Sequence, residues 1–109
     1  FIIDNWMVTA PTDVEEDDKI VPEKFALLQN YPNPFNPSTI IAYNIPQRSN
    51  VSLKIYDVLG KEIATLVNEQ KEAGLYEIKY DASKLSSGVY IYSIQAGDFL
   101  ESRKMILMK

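Results

Sequence analysis

From Phe25 onward, apolar and polar residues alternate in short runs that are separated by turn-forming residues. In the run VSLKIY, which covers residues 51–56, apolar residues occupy alternate positions. Successive side chains of a β-strand point to opposite faces, so a period of two is typical of a strand with one buried face. Because many such short runs follow one another, the pattern predicts an all-β fold.

Turn signals divide this part of the chain into seven predicted strands. The run Tyr31 to Pro37 is rich in proline, and Asp57 to Gly60 and Gly97-Asp98 each predict a hairpin turn. Glu69 to Gly74 is predicted to be a polar loop, and Asp81 to Gly88 a longer loop that crosses between sheets. Seven strands with one crossover predict a seven-stranded, immunoglobulin-like Greek-key β-sandwich. The predicted strands are Phe25 to Asn30, 38–45, 51–56, 61–68, 75–80, 89–96 and 99–108.

The same alternation assigns the side chains that should face the core. Prolines fix φ and donate no hydrogen bond, so the proline-rich run cannot lie inside a sheet and should form a rigid corner, with Phe35 plugging the sandwich. Tyr90 follows the crossing loop, where it fits either a tyrosine corner or an ordinary core position. The other residues predicted to face the core are Thr39, Ile41, Tyr43, Ile45, Val51, Leu53, Ile55, Tyr76, Ile78, Tyr80, Tyr92 and Ile94.

Residues 1–24 differ in character from the predicted domain 25–109. Residues 1–9 are apolar and β-prone, so they are predicted to be either the end of a preceding domain or a strand donated to a neighbouring chain. Residues 10–24 are rich in acidic residues and proline, which predicts a solvated linker rather than a calcium loop. The chain begins with Phe1 and shows no signal peptide, so we expect it to derive from a longer precursor.

The composition argues against several classes of function. The chain has no cysteine and no histidine, which removes thiolate and imidazole metal ligands and the usual catalytic bases. The formal net charge is −4, with −5 on residues 1–24 and +1 on residues 25–109. The predicted domain is therefore nearly neutral and lacks the basic face that nucleic-acid binding requires. The sequence contains no apolar run of about 18 residues, the length that a helix needs to span a membrane. We therefore predict a protein that is not an enzyme, with no cofactor, no metal site and no nucleic-acid partner.

Four motifs follow one another along the predicted domain. The first is the run Leu28 to Thr39, LQNYPNPFNPST, and the second is Val51 to Asp57 followed by Gly60-Lys61. The third is Leu85 to Tyr90, LSSGVY, and the fourth is the basic, apolar run Arg103 to Lys109. Taken together, these motifs resemble those of the type A C-terminal sorting domain of the type IX secretion system, the Por secretion system sorting domain.

The resemblance implies that the domain is a delivery signal. It would direct an upstream cargo through the periplasm and across the outer membrane of a Gram-negative bacterium, so that the cargo is secreted or displayed on the cell surface. The implied partners are an outer-membrane shuttle and a sortase-like peptidase, which would cleave within the linker 10–24. The residues implied in transporter recognition are Pro32, Asn33, Pro34, Phe35, Asn36, Pro37, Gly60, Lys61, Gly88, Tyr90, Lys104, Met105, Ile106, Leu107, Met108 and Lys109.

Two other functions stay open at this point. The chain could be a structural or adhesive surface module that assembles by β-strand addition, with residues 1–9 as the donated strand. It could also be an accessory carbohydrate-binding module, which needs solvent-facing aromatic rings. Only Trp6 and Phe99 are expected to offer such rings, because the tyrosines alternate with polar residues and should face the core.

Overall fold

The computed structural model describes residues 21–109, and this part of the chain folds into seven β-strands. They are β1 Ala26–Leu27, β2 Ser38–Ile45, β3 Ser49–Asp57, β4 Glu62–Lys71, β5 Gly74–Asp81, β6 Gly88–Ala96 and β7 Phe99–Leu107. One antiparallel sheet has the strand order β1-β2-β5, and the other has the order β4-β3-β6-β7. The predicted seven-stranded immunoglobulin-like sandwich is confirmed.

The core lies between the two sheets and is built from the strand faces that the alternation predicts. In β2, Ile41 and Ile45 are fully buried, whereas Ile40, which directly precedes Ile41, is exposed. Tyr92 and Ile94 of β6 meet them from the other sheet. Burying a large apolar side chain contributes about 1.5–3 kcal/mol, so this layer is the main source of stability. The buried apolar residues are Leu27, Phe35, Ile41, Tyr43, Ile45, Val51, Leu53, Ile55, Val67, Ala82, Tyr90, Tyr92, Ile94, Ala96, Met105 and Leu107.

Strand β5 follows the predicted alternation at lower burial. Tyr76, Ile78 and Tyr80 share one face, as predicted, but they are half-buried and pack against the margin of the core. Tyr76 stacks on Tyr43 with ring centroids 5.3 Å apart. The incomplete burial follows from position, because β5 forms the edge of its sheet beside β2.

The chain changes sheets at three places rather than at one. It crosses at residues 46–48, at Glu72-Ala73 and at residues 82–87, whereas β3–β4 and β6–β7 are hairpins within one sheet. The crossing loop predicted at Asp81 to Gly88 is thus present. The two additional crossings use tight connections, which the sequence pattern did not separate from ordinary turns.

Two predicted boundaries are wrong. The first strand was expected at Phe25 to Asn30, but β1 pairs only Ala26 and Leu27 with β2. The backbone N–H of Asn30 donates to Tyr92 Oη at 2.8 Å rather than to β2. The polar loop expected at Glu69 to Gly74 is reduced to two residues. Backbone pairing with β3 extends β4 to Lys71, in the register Ser49↔Lys71, despite the polar sequence.

Both predicted hairpin turns are confirmed. Gly60 has φ of 87° and Gly97 has φ of 60°, the left-handed conformation that favours glycine. The expectations for residues 1–9 and for most of the linker 10–24 concern parts of the chain outside the described residues. Within residues 21–109 there is no helix of the length and hydropathy needed to span a membrane.

Candidate functional site

Part of each of the four sequence motifs lies at one end of the sandwich. Strands β3 and β7 finish at this end and β2 and β6 begin there, as the pairs Asp57↔Tyr90 and Gly88↔Leu107 show. Pro37 also lies there, because its carbonyl accepts a hydrogen bond from Ala82 N–H at 2.8 Å. We call this region the motif end and define it as residues 32–37, 57–61, 82–90 and 104–109.

The proline-rich run packs along the last strand. Phe35 is 2% exposed and forms an isolated parallel bridge with Leu107. Its N–H donates to the carbonyl of Ile106 at 2.9 Å, and its carbonyl accepts from Met108 N–H at 3.0 Å. Asn33 Oδ1 accepts from Ile106 N–H at 3.0 Å. The first and fourth motifs are therefore one structural unit, in which Phe35 plugs the sandwich as predicted and the run covers the outer edge of β7.

The third motif supports this unit from the other side. Tyr90 Oη donates to the carbonyl of Ser86 at 2.7 Å, four residues upstream, which is the geometry of a tyrosine corner. Lys109 N–H donates to Ser87 Oγ at 3.0 Å, and its ammonium group donates to the carbonyl of Ser83 at 2.6 Å. Of the two predictions for Tyr90, the structure confirms the tyrosine corner. The loop to which Tyr90 is hydrogen-bonded also contacts Lys109.

The second motif forms the hairpin between β3 and β4. Asp57 Oδ1 accepts hydrogen bonds from the N–H groups of Leu59 and Lys61, each at 2.9 Å. Backbone pairing between Asp57 and Lys61, together with the positive φ of Gly60, completes the turn. This hairpin presents Val58 and Leu59 to solvent, with 63% and 90% of their surfaces exposed.

A buried polar network joins the start of the proline-rich run to the core, and sequence reasoning missed it. Asn30 is 2% exposed, and its amide group donates to Thr39 Oγ1 at 3.0 Å and to the carbonyl of Pro32 at 3.1 Å. Its backbone N–H donates to Tyr92 Oη at 2.8 Å. Tyr92 Oη in turn donates to the carbonyl of Leu28 at 2.6 Å. The only sequence signal was an asparagine at the end of the predicted first strand, directly before the proline-rich run.

Burial within the sandwich changes the titration of three of its phenols. Desolvation raises the pKa of Tyr92, while the hydrogen bond from Asn30 N–H and the positive charge of Arg103 oppose that rise. Burial likewise raises the pKa of Tyr43 and of Tyr80. These three phenols therefore stay neutral at physiological pH.

The residues implied in recognition divide into buried and exposed sets. Four of them belong to the core: Phe35, Tyr90, Met105 and Leu107. Pro37 is half-buried. The others present at least part of their surface to solvent: Pro32, Asn33, Pro34, Asn36, Gly60, Lys61, Gly88, Lys104, Ile106, Met108 and Lys109.

The outward face of the four-stranded sheet is apolar at the motif end. Val89 lies opposite Ile106 in the β6–β7 ladder, and both are 36% exposed. One row further from the end, half-buried Tyr56 and Ile91 face each other across β3 and β6. Met108 continues the patch past β7 with 58% of its surface exposed.

The other kinds of site in question are a metal site and the exposed aromatic rings of a carbohydrate-binding site. Residues 21–109 contain no group of three or more carboxylate side chains placed to hold a metal ion. Phe99, expected to present a free ring, is half-buried and stacks on Phe25 with centroids 5.3 Å apart. That expectation is wrong because the start of the domain covers this ring. Trp6 lies outside the described residues, and Tyr31 is exposed at 78%.

The comparisons with known proteins agree with this architecture. The family model of the secretion system C-terminal sorting domain matches residues 29–108. Among solved structures, the chain is similar to one from a study of PorZ, an essential bacterial surface component of the type-IX secretion system of Porphyromonas gingivalis. The two share 20% sequence identity with a TM-score of 0.52, over 80% of this chain and 12% of that one, a likeness in fold. No curated protein matches the chain.

Proposed function

The chain belongs to the family of secretion system C-terminal sorting domains, which are signals for type IX secretion, and we propose that its motif end is the surface that the secretion machinery recognises. A protein that carries such a domain is secreted or displayed on the cell surface. The observation behind the proposal is the convergence of four motifs, distant in sequence, at one end of the sandwich.

The buried and exposed motif residues would have different roles. Phe35, Tyr90, Met105 and Leu107 cannot touch a partner while the domain is folded, since each is at least nine-tenths buried. They would set the positions of the exposed residues, as Phe35 does through its hydrogen bonds to the backbone beside Ile106. Direct contact would then fall to the exposed members of the motif end.

The exposed apolar patch suits a protein partner. Ile106 and Met108 from the last motif lie beside Val89 from the third, and the hairpin adds Val58 and Leu59. Exposed apolar surface of this kind marks interaction sites in small domains, because water contact with it is unfavourable. Lys104 supplies a positive charge at the margin of the patch, opposite Ile91 in the ladder.

The partners in this proposal are an outer-membrane shuttle that binds the motif end and a sortase-like peptidase that cleaves the chain before the sandwich. The cargo would reach the shuttle from the periplasm. Cleavage would take place in the segment 10–24, whose acidic, proline-containing sequence predicts a linker that an active site can reach. The domain would serve as the substrate of that peptidase.

The test is export of a fluorescent cargo fused to residues 10–109 in a bacterium that carries the type IX system. Ile106→Glu is introduced into the patch, and Leu100→Glu serves as the matched control, because both residues lie on the outward face of β7 and only Ile106 is at the motif end. Thermal unfolding of each purified fusion checks that the domain is folded.

We expect the wild-type fusion and the Leu100→Glu fusion to reach the medium or the cell surface. The Ile106→Glu fusion should fold but should not be exported. Equal export of the two variants would show that the secretion machinery does not recognise this face. Failure of the wild-type fusion would reject residues 10–109 as a sufficient signal. Removing Lys104 to Lys109 is a less specific test, since it also removes buried Met105 and Leu107.

A further inference from the structure

Strand β5 is a regular edge strand without a second neighbour among residues 21–109. All eight of its residues pair with β2, from Ser38↔Asp81 to Ile45↔Gly74, with no shift in register. Its opposite side therefore presents a row of backbone N–H and C=O groups that no other described strand pairs. An uncovered and unbroken edge of this kind is a template for pairing with another strand.

The other sheet edges are protected. Strand β1 is only two residues long, and Arg103 Nε donates to the carbonyl of Leu27 within it. The edge of β7 is covered at one end by the proline-rich run and by Gln29, whose amide group donates to the carbonyl of Lys104 at 2.9 Å. Two register shifts interrupt the pairing of β4 with β3. Short strands, cover and bulges are the usual protections against edge pairing, and residues 21–109 provide none of these for β5.

The outward side chains of β5 alternate in charge. Glu77 and Lys79 are both exposed and lie on the same face, two residues apart. Within residues 21–109, neither takes part in any of the ion pairs, which involve other side chains. A single lysine on an edge discourages pairing with a second copy, whereas a glutamate and a lysine in this arrangement can complement each other across a twofold axis.

We propose that two copies of this chain associate through antiparallel pairing of their β5 strands, with Ile78 opposite Ile78 of the second copy. In this register Glu77 of each copy faces Lys79 of the other, and the two three-stranded sheets join into one of six strands. Moving the axis by one residue would place Glu77 opposite Glu77 or Lys79 opposite Lys79, and like charges directly opposite are destabilising. Among registers centred on residues 77, 78 and 79, the charge pattern therefore favours the one centred on Ile78. A register centred on Tyr80 would pair Lys79 with the exposed Asp81, but it would align far fewer residues of β5.

The inner face of β5 is compatible with this register. Tyr76, Ile78 and Tyr80 are half-buried, so parts of their side chains stay in water in a single copy. With Ile78 at the axis, Tyr76 lies opposite Tyr80 of the second copy. Aromatic side chains opposite each other, or beside a β-branched one, stabilise antiparallel pairs, and the contact would complete their burial.

Sedimentation equilibrium of the full 109-residue chain, from micromolar to millimolar concentration, tests the proposal together with charge reversals. The interface is small, so we expect a reversible dimer. Glu77→Lys and Lys79→Glu should each weaken it about tenfold, because each reversal replaces two attractive pairs by two repulsive ones. An equimolar mixture of the two variants, and the double variant E77K/K79E, should both regain the wild-type affinity.

Disulfide trapping tests the register independently, since the chain has no cysteine of its own. A mixture of Glu77→Cys and Lys79→Cys should form the mixed disulfide dimer faster than either variant alone. A wild-type chain that stays monomeric at millimolar concentration would overturn the proposal. So would a dimer that both reversals leave unchanged, or trapping without preference for the mixed pair. Because none of these measurements involves the secretion machinery, failure here leaves recognition at the motif end unaffected.

Discussion

The phenol of Tyr92 and the side chain of Asn30 hold the start of the proline-rich run to the sandwich from the inside. Tyr92 Oη both donates to Leu28 and accepts from Asn30, and the Asn30 amide reaches Thr39. A buried polar group is costly unless it is hydrogen-bonded, and here the partners satisfy one another. The network interrupts the pairing of this segment with β2, because the backbone N–H of Asn30 donates to Tyr92 Oη and is not available to a strand of the sheet.

The raised pKa of Tyr92 has a consequence for stability at alkaline pH. Burial raises the pKa of this phenol in the folded state above its usual value of about 10, so the native state holds the proton more tightly than the unfolded chain. Its contribution is fully present below about pH 10 and is lost as the pH rises through the folded pKa. Tyr43 and Tyr80 act in the same direction.

We therefore expect the free energy of unfolding to be level near neutral pH and to fall above about pH 10. Tyr92→Phe should cost about 1–3 kcal/mol at neutral pH, since it leaves buried groups without their partner, and should make the alkaline fall shallower. Urea titrations at neutral and alkaline pH measure both effects. An alkaline fall of the same steepness in the variant would show that Tyr92 does not contribute to it.

At the scale of elements, the β3–β4 hairpin depends on one backbone conformation. Gly60 has φ of 87°, and a Cβ added there would meet no atom within 4 Å. The cost of Gly60→Ala should therefore come from backbone strain alone, about 1 kcal/mol. Gly74→Ala is the matched control, because Gly74 lies outside the left-handed region and its Cβ would make an ordinary contact with the Tyr76 ring at 3.6 Å.

Urea unfolding of both glycine variants measures the difference. We expect Gly60→Ala to lower stability and Gly74→Ala to leave it unchanged or slightly raised, because alanine restricts the unfolded chain. Equal losses in the two variants would mean that the turn tolerates a side chain and that its conformation is not the restricting feature.

The elements divide into those that local patterns predict and those that they do not. β2 and β6 were predicted well because each buries alternate side chains, and the period of two is visible in their own residues. The end of β1 and the length of β4 were not, because they depend on partners far away in the sequence, such as Tyr92 for Asn30 and Ser49 for Lys71. The motif residues were predicted individually, whereas the pairing of Phe35 with Leu107 has no local signal.

Across the whole molecule, the stability of the fold and the display of the motif end depend on the same strand. β7 turns Met105 and Leu107 into the core and Ile106 outward, and its backbone holds Phe35 in place. The surface that we propose for recognition exists only when the sandwich is complete. The first and last motifs, more than sixty residues apart in the sequence, then meet as one surface.

This arrangement predicts that removing Lys104 to Lys109 unfolds the domain. Met105 and Leu107 are 0% and 1% exposed, and losing a buried side chain of this size costs about 2–5 kcal/mol. Two such losses, with the hydrogen bonds to Phe35, approach the whole stability of a small domain, about 5–15 kcal/mol.

Circular dichroism should show a cooperative thermal transition for the full chain and none for the truncated one. The double variant I106S/M108S, which alters only exposed side chains of the same segment, should keep the transition. A truncated chain that unfolds at the wild-type temperature would show that fold and recognition surface are separable.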